Sequence, residues 1–209
     1  MRIRITIAIG LALTVVAVGV ALARKPLVRA GTDGTPLPTE VGATPAPTTV
    51  CQGEETVPAG TTAIRVSMLS LMGPRLKLLA RSQGQVVTSG ELGYGWTGSI
   101  VSIPVARVAG THPHTTICVS LAKRRQLVNL RGANTKFAPA VMGGKQVLTG
   151  RMRFDYMHPN DKSWLALALP TARRIGLNIG GGAGIVLLPL LLLLSAAALS
   201  SWLLVRDLR

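Results

Sequence analysis

Ala63-Ile-Arg-Val-Ser-Met68 alternates residue by residue, with Ile64, Val66 and Met68 on one side of an extended chain and Arg65 and Ser67 on the other. A period of two marks a strand with one face on a core and one in solvent. The same period returns at Ile100-Val-Ser-Ile-Pro-Val105, Thr116-Ile-Cys-Val-Ser-Leu121, Gln126-Leu-Val-Asn-Leu130 and Arg151-Met-Arg-Phe-Asp-Tyr156. Leu76 to Ala80 and Gln85 to Thr88, joined through Ser82-Gln83-Gly84, read as a hairpin. About seven short strands at this spacing predict a mainly β fold over residues 51–159, an antiparallel β-sandwich of Ig-like or jelly-roll-like kind. The roughly 110 residues from Cys51 to Asn160 suffice for one domain with its own core and not for two.

Upstream, Ala30 to Val50 is rich in Gly, Thr and Pro and has no apolar period. Such composition buries too little apolar surface to offset the entropy of ordering, so residues 24–50 are expected to form an extended stalk without secondary structure.

Two apolar spans enclose this basic, turn-rich middle. Ile5 to Ala23 and Ile185 to Val205 each approach the roughly 20 residues of helix that cross a bilayer, so two flanking transmembrane α-helices are expected. Residues 1–23 fit a signal anchor, and the small residues Ala21-Leu22-Ala23 fit a cleaved signal peptide as well. Either way the middle is exported, which places the main domain outside the cytoplasm at the cell membrane. Asn160 or Asp161 is expected to cap a juxtamembrane interfacial helix over 160–178, with Trp164, Leu165, Ala168, Ala172 and Ile175 on one side, a pattern that a helix packed on the sandwich fits equally. A transmembrane helix over 179–205 and a cytoplasmic tail at 206–209 complete the order. Flanking charge does not fix orientation, since Arg2, Arg4, Arg206 and Arg209 stand against Arg24, Lys25, Arg29, Arg173 and Arg174.

Cys51 and Cys118 are the only cysteines, and a pair in an exported chain is more often a disulfide than a metal or redox centre. His112-Pro-His114 lacks the third and fourth ligands of a metal site and reads as a solvated loop. Of the exported carboxylates, Asp33, Glu40, Glu54, Glu55, Glu91, Asp155 and Asp161, no two are placed across a cleft by the sequence. There is no Gly-x-Ser-x-Gly elbow, and Met142-Gly-Gly-Lys145 lacks the spacing of a phosphate loop. No enzyme is expected, and no cofactor or metal.

Tyr94-Gly-Trp-Thr-Gly98 carries the candidate ligand contacts. In an extended strand Tyr94 and Trp96 point the same way and could stack on a sugar ring, although Trp96 as a core residue with Tyr94 at its rim explains the motif too. Between Arg24 and Arg174 there are 19 Lys/Arg against 7 Asp/Glu. No nucleic-acid module accompanies this charge, so an anionic envelope polymer is the more sensible partner. Lys123-Arg124-Arg125 is the densest candidate patch for it, or else a solvated hairpin tip. The Gly180-x-x-x-Gly184 spacing permits helix association with other membrane proteins and equally marks a flexible joint.

Cys51-Gln52, Glu55-Thr-Val-Pro-Ala-Gly-Thr-Thr-Ala-Ile-Arg65, Gly95-Trp-Thr-Gly98 and Ser200-Ser-Trp-Leu-Leu-Val-Arg-Asp-Leu-Arg209 resemble a group of uncharacterised bacterial membrane-anchored envelope proteins with an extracytoplasmic β-sandwich. The resemblance covers most of the chain and implies no particular activity. The domain also resembles accessory sandwich modules found beside envelope sugar chemistry, an analogy of fold. The expected function is a binding or accessory domain for carbohydrate or anionic polymer, with a structural subunit of a membrane complex as the alternative and an enzyme of unrecognised class as a third option.

Overall fold

The computed structural model describes residues 2–36, 39–45, 47–122 and 127–174. Along the chain these form α1 (Arg2–Ala23), β1 (Leu27–Thr32), β2 (Thr39–Pro45), β3 (Thr48–Val57), β4 (Ala63–Val66), β5 (Met68–Leu69), β6 (Leu76–Ser82) and β7 (Gln85–Leu92). There follow β8 (Val101–Pro104), β9 (His112–Leu121), β10 (Leu127–Asn134), β11 (Val141–Met142), β12 (Gln146–Val147), β13 (Gly150–Met152), β14 (Phe154–Pro159) and α2 (Trp164–Arg174).

The alternating segments become strands where the pattern places them, because each buries one row of side chains. Ile64, Val66, Leu76, Leu78, Ile103, Ile117, Val119, Leu130, Phe154 and Tyr156 are all buried and belong to one apolar core. All pairings are antiparallel among the described residues: β1-β14-β4-β8 form one sheet, β13-β10-β2 with β5 beside β10 a second, and β12-β11-β3-β9-β6-β7 a third. The protein is thus mainly β with antiparallel sheets around a shared core, an arrangement consistent with a β-sandwich.

The β6–β7 hairpin forms as expected. Its two connecting residues, Gln83 and Gly84, have φ of 50° and 81°, the paired positive values of a type I′ turn whose twist matches the flanking strands.

The stalk expected over 24–50 is not what forms. β1 pairs with β14 from Leu27↔Pro159 to Thr32↔Asp155, and β2 pairs with β10 from Thr39↔Gly132 to Pro45↔Leu127. The compact β domain therefore begins at Leu27, not Cys51, and runs to Pro159. The physical reason is that ladder hydrogen bonds come from the main chain and need no apolar side chain. Buried Val41 and Thr44 suffice to seat β2.

The segments before and after this domain make a second compact unit. In it, the main-chain N–H of Trp164 donates to the Arg24 carbonyl at 3.1 Å and that of Asn160 to the Pro26 carbonyl at 2.8 Å. The helix at 164–174 is capped by Ser163, whose hydroxyl oxygen accepts from the Ala166 N–H at 3.3 Å, and not by Asn160 or Asp161. The hydroxyl there reaches the third amide of the helix, which the Asn160 side chain does not: it accepts from the Lys162 N–H instead.

Trp164 and Leu165 are exposed, and so are the apolar side chains of α1 from Ile9 to Leu22 wherever they are described. Among the described residues no helix is long and apolar enough to cross a membrane. The second apolar span, its glycine joint and the tail lie outside the described residues, as does Ile175.

Candidate functional site

Gln52 and Glu55 lie three residues apart and in a regular strand would point to opposite faces. Both point inward. Gln52 stands opposite Ile117 and Glu55 opposite Thr115, so β3 takes three steps where β9 takes two. The extra residue is absorbed by a bulge at which Glu54 adopts φ 58°. Across from it His114 also has positive φ, 48°, and its Nδ1 lies 2.7 Å from the Glu54 carboxylate.

The bulge sends a carboxylate into the protein interior, where it needs donors. Glu55 is 1% exposed, and Gln52 Nε2 and the Tyr156 hydroxyl donate to its two oxygens at 2.7 Å each, while Arg151 Nη2 closes an ion pair with it. Gln52 spans the interior to β13, donating to the Met152 carbonyl at 3.0 Å and accepting from the Met152 N–H at 2.7 Å. Arg151 donates further to the carbonyls of Ala138 at 3.0 Å and Gly53 at 3.2 Å. Every member has partners, so the network fixes one register between β3, β13 and β14.

Arg151 also lines a cleft of about 370 Å³, together with Asp33, Glu54, Asn134, Thr135 and Phe137. Its guanidinium carbon lies 5.8 Å from the centroid of the Phe137 ring. Asp33 holds one wall of the cleft: its carboxylate accepts from the Thr35 N–H at 3.0 Å and the Phe154 N–H at 3.1 Å. A second cleft, of about 330 Å³, carries Arg107 and His112 and no Phe, Tyr or Trp.

Burial pushes the Asp33 carboxyl above the ordinary range; hydrogen bonds from Thr35 and Phe154 oppose this without cancelling it. The Tyr156 hydroxyl is pushed up too, by burial and then by the adjoining Glu55. A raised folded-state carboxyl binds more protons than its unfolded counterpart between its ordinary value and its raised one, so stability falls as pH rises through that window. Melting temperature is therefore expected to rise as pH is lowered from neutrality towards the ordinary carboxyl range, with Asp33, whose carboxylate is held by main-chain amides, the source. Thermal melts at constant ionic strength check this, and a flat profile contradicts it.

The other residues singled out by sequence fall as follows. Cys51 and Cys118 are disulfide-bonded, with Cα atoms 4.0 Å apart. They face each other on β3 and β9, neighbours in the same sheet, so the bond ties adjacent strands rather than two sheets. His112 and His114 open strand β9 instead of lying in a loop, and no group of three or more metal-ligating residues occurs among the described residues. Asp33 and Glu54, which sequence spacing did not bring together, line one cleft.

Tyr94 and Trp96 are not on an extended strand: the segment between β7 and β8 turns at Gly95, φ 91°. Trp96 is half-buried against the core, and its indole N–H donates to the Pro74 carbonyl at 2.7 Å. The indole lies so close to Gly73 that a Cβ there would be 1.8 Å from it. Tyr94 is exposed. Lys123, Arg124 and Arg125 lie outside the described residues.

Sequence reasoning missed Asn134, Phe137 and Arg151, and it assigned Asp33 to the stalk. The available signal was an Arg next to Met152 in an inward-facing strand, a charge that demands a buried counterion. No protein-family model matches the chain, and no curated protein or solved structure is significantly similar to it.

Proposed function

We propose that this chain is a non-enzymatic binding domain of a bacterial cell envelope, held at the membrane by its apolar ends and exposed outside the cytoplasm as a disulfide-tied β-sandwich. The observation that carries the reading is the Cys51–Cys118 bond, with no free cysteine left among the described residues. Such bonds persist in oxidising compartments. The apolar run Ile5 to Ala23 supports it, because its length approaches that of a helix that crosses a bilayer. The uncharged stretch Ile185 to Val205 and the resemblance to membrane-anchored envelope proteins support it further.

A reporter active only in the cytoplasm, fused after Arg209, is expected to give signal; fused after Gly110 it is expected to stay silent. Signal at Gly110 would overturn the topology. Amino-terminal sequencing of the mature protein separates a retained anchor from a signal peptide cleaved after Ala23.

The second reading, a structural subunit of a membrane complex, is favoured by exposed apolar residues on two adjoining loops. Leu71 is 90% exposed, with Met72, Tyr94 and Ile100 also exposed, and Ser70 and Gly98 bridge the loops that carry them. Co-purification of a stoichiometric partner that is lost on Leu71→Asp would support this reading over ligand binding.

A further inference from the structure

We propose that the cleft bounded by Asp33, Asn134, Phe137 and Arg151 binds a neutral saccharide, with a sugar ring stacked on Phe137. This deepens the envelope-binding reading and rests on it. Phe137 is 69% exposed; its main-chain N–H donates to Thr135 Oγ1 at 3.1 Å, and its ring lies with the buried Arg151 guanidinium 5.8 Å from the centroid. An apolar disc fixed beside a polar cleft is the complement of a sugar, whose C–H face is apolar and whose rim is hydroxyl.

The cleft offers polar groups to such a rim. Asn134 lines the cleft, with its side-chain amide 3.2 Å from Thr149 Oγ1, and an amide side chain can both donate to and accept from sugar hydroxyls. Asp33 lines the cleft too; its carboxylate accepts from two main-chain amides and lies 3.5 Å from the Thr32 hydroxyl, and two carboxylate oxygens have about four acceptor sites in all. A volume of about 370 Å³ is at the small end of the usual range for ligand pockets, about 300 to 1,000 Å³, and suits one or two rings.

Charge then selects among saccharides. The Arg151 guanidinium is matched by Glu55 beneath it, whereas Asp33 and Glu54 both line the cleft. A uronate or phosphate group would meet these carboxylates with no unmatched cation in the lining to receive it. The site therefore takes a neutral ring, and the anionic polymer considered from overall charge belongs elsewhere on the surface.

The test is calorimetric titration of the full chain in detergent micelles with neutral oligosaccharides of glucose, mannose and N-acetylglucosamine, and with polygalacturonate. At least one neutral oligosaccharide is expected to bind, and polygalacturonate is not expected to compete for its site. Phe137→Ala and Asn134→Ala should each weaken binding roughly tenfold or more while leaving the melting temperature nearly unchanged. The proposal is overturned if no neutral oligosaccharide binds at millimolar concentration, if polygalacturonate competes for the site, or if Phe137→Ala binds like the parent. Loss of binding in Tyr94→Ala with Phe137→Ala unaffected would move the site to the loop carrying Trp96 and equally overturn it. Failure here with a silent Gly110 reporter leaves the envelope reading standing, and saccharide binding with an active Gly110 reporter leaves the cleft standing without it.

Discussion

Arg151→Met is expected to destabilise the protein by about 3 to 5 kcal/mol, and Glu55→Gln by a similar amount, because each leaves a buried group without its counterpart. Removing Arg151 strands a carboxylate that is 1% exposed; removing the Glu55 charge strands a guanidinium whose side chain is 8% exposed. The double variant is expected to lose much less than the sum, since no unmatched charge remains inside. Denaturant unfolding of the four proteins measures this coupling. Strict additivity would mean that the pair contributes nothing as a pair, and that the interior network is not what sets the register of β3 against β13.

Replacing both cysteines by serine is expected to cost about 4 kcal/mol, the loop-entropy value for a closed loop of 67 residues. Since that rivals the whole net stability of a small domain, the variant should melt far below the parent or fail to accumulate in the envelope. The loss should show mainly as an effect on the unfolded chain. Cys51 and Cys118 occupy half-buried positions on β3 and β9, alternating with the buried Val50, Gln52, Ile117 and Val119, so the core keeps its packing when the bond is cut. A reduced protein with the melting temperature of the oxidised one would contradict the prediction.

The strands that could be read from the sequence were those whose side chains do the work. Ile64 with Val66, Leu76 with Leu78 and Ile117 with Val119 each put two buried apolar residues two positions apart, and such spacing is visible in the letters alone. β1 and β2 were invisible for the opposite reason. Leu27 is exposed, Val41 and Thr44 are the buried residues of β2 among those described, and both strands are held by main-chain ladders to β14 and β10 that leave no mark in side-chain composition. The interior network was hidden by the bulge at Glu54. With strict alternation Gln52 and Glu55 cannot share a face, so a pattern of two assigns one of them to solvent. The cleft followed from these misses, since it joins Asp33, taken as stalk, to Asn134, Phe137 and Arg151, about a hundred residues further on.

The pairing of Leu27 with Pro159 bears on mechanics. The β domain is entered and left through one rung of one ladder, so its two ends are a single strand spacing apart, about 5 Å. Anything that grips both ends holds the domain at a point and not across its length. A pull delivered through a captured ligand then makes the domain swivel about that point instead of stretching it. A pull that separates the two ends acts on β1 and β14 as on a zipper, parting their hydrogen bonds one at a time from Leu27 and Pro159 inward, and β1 is the piece that would peel first.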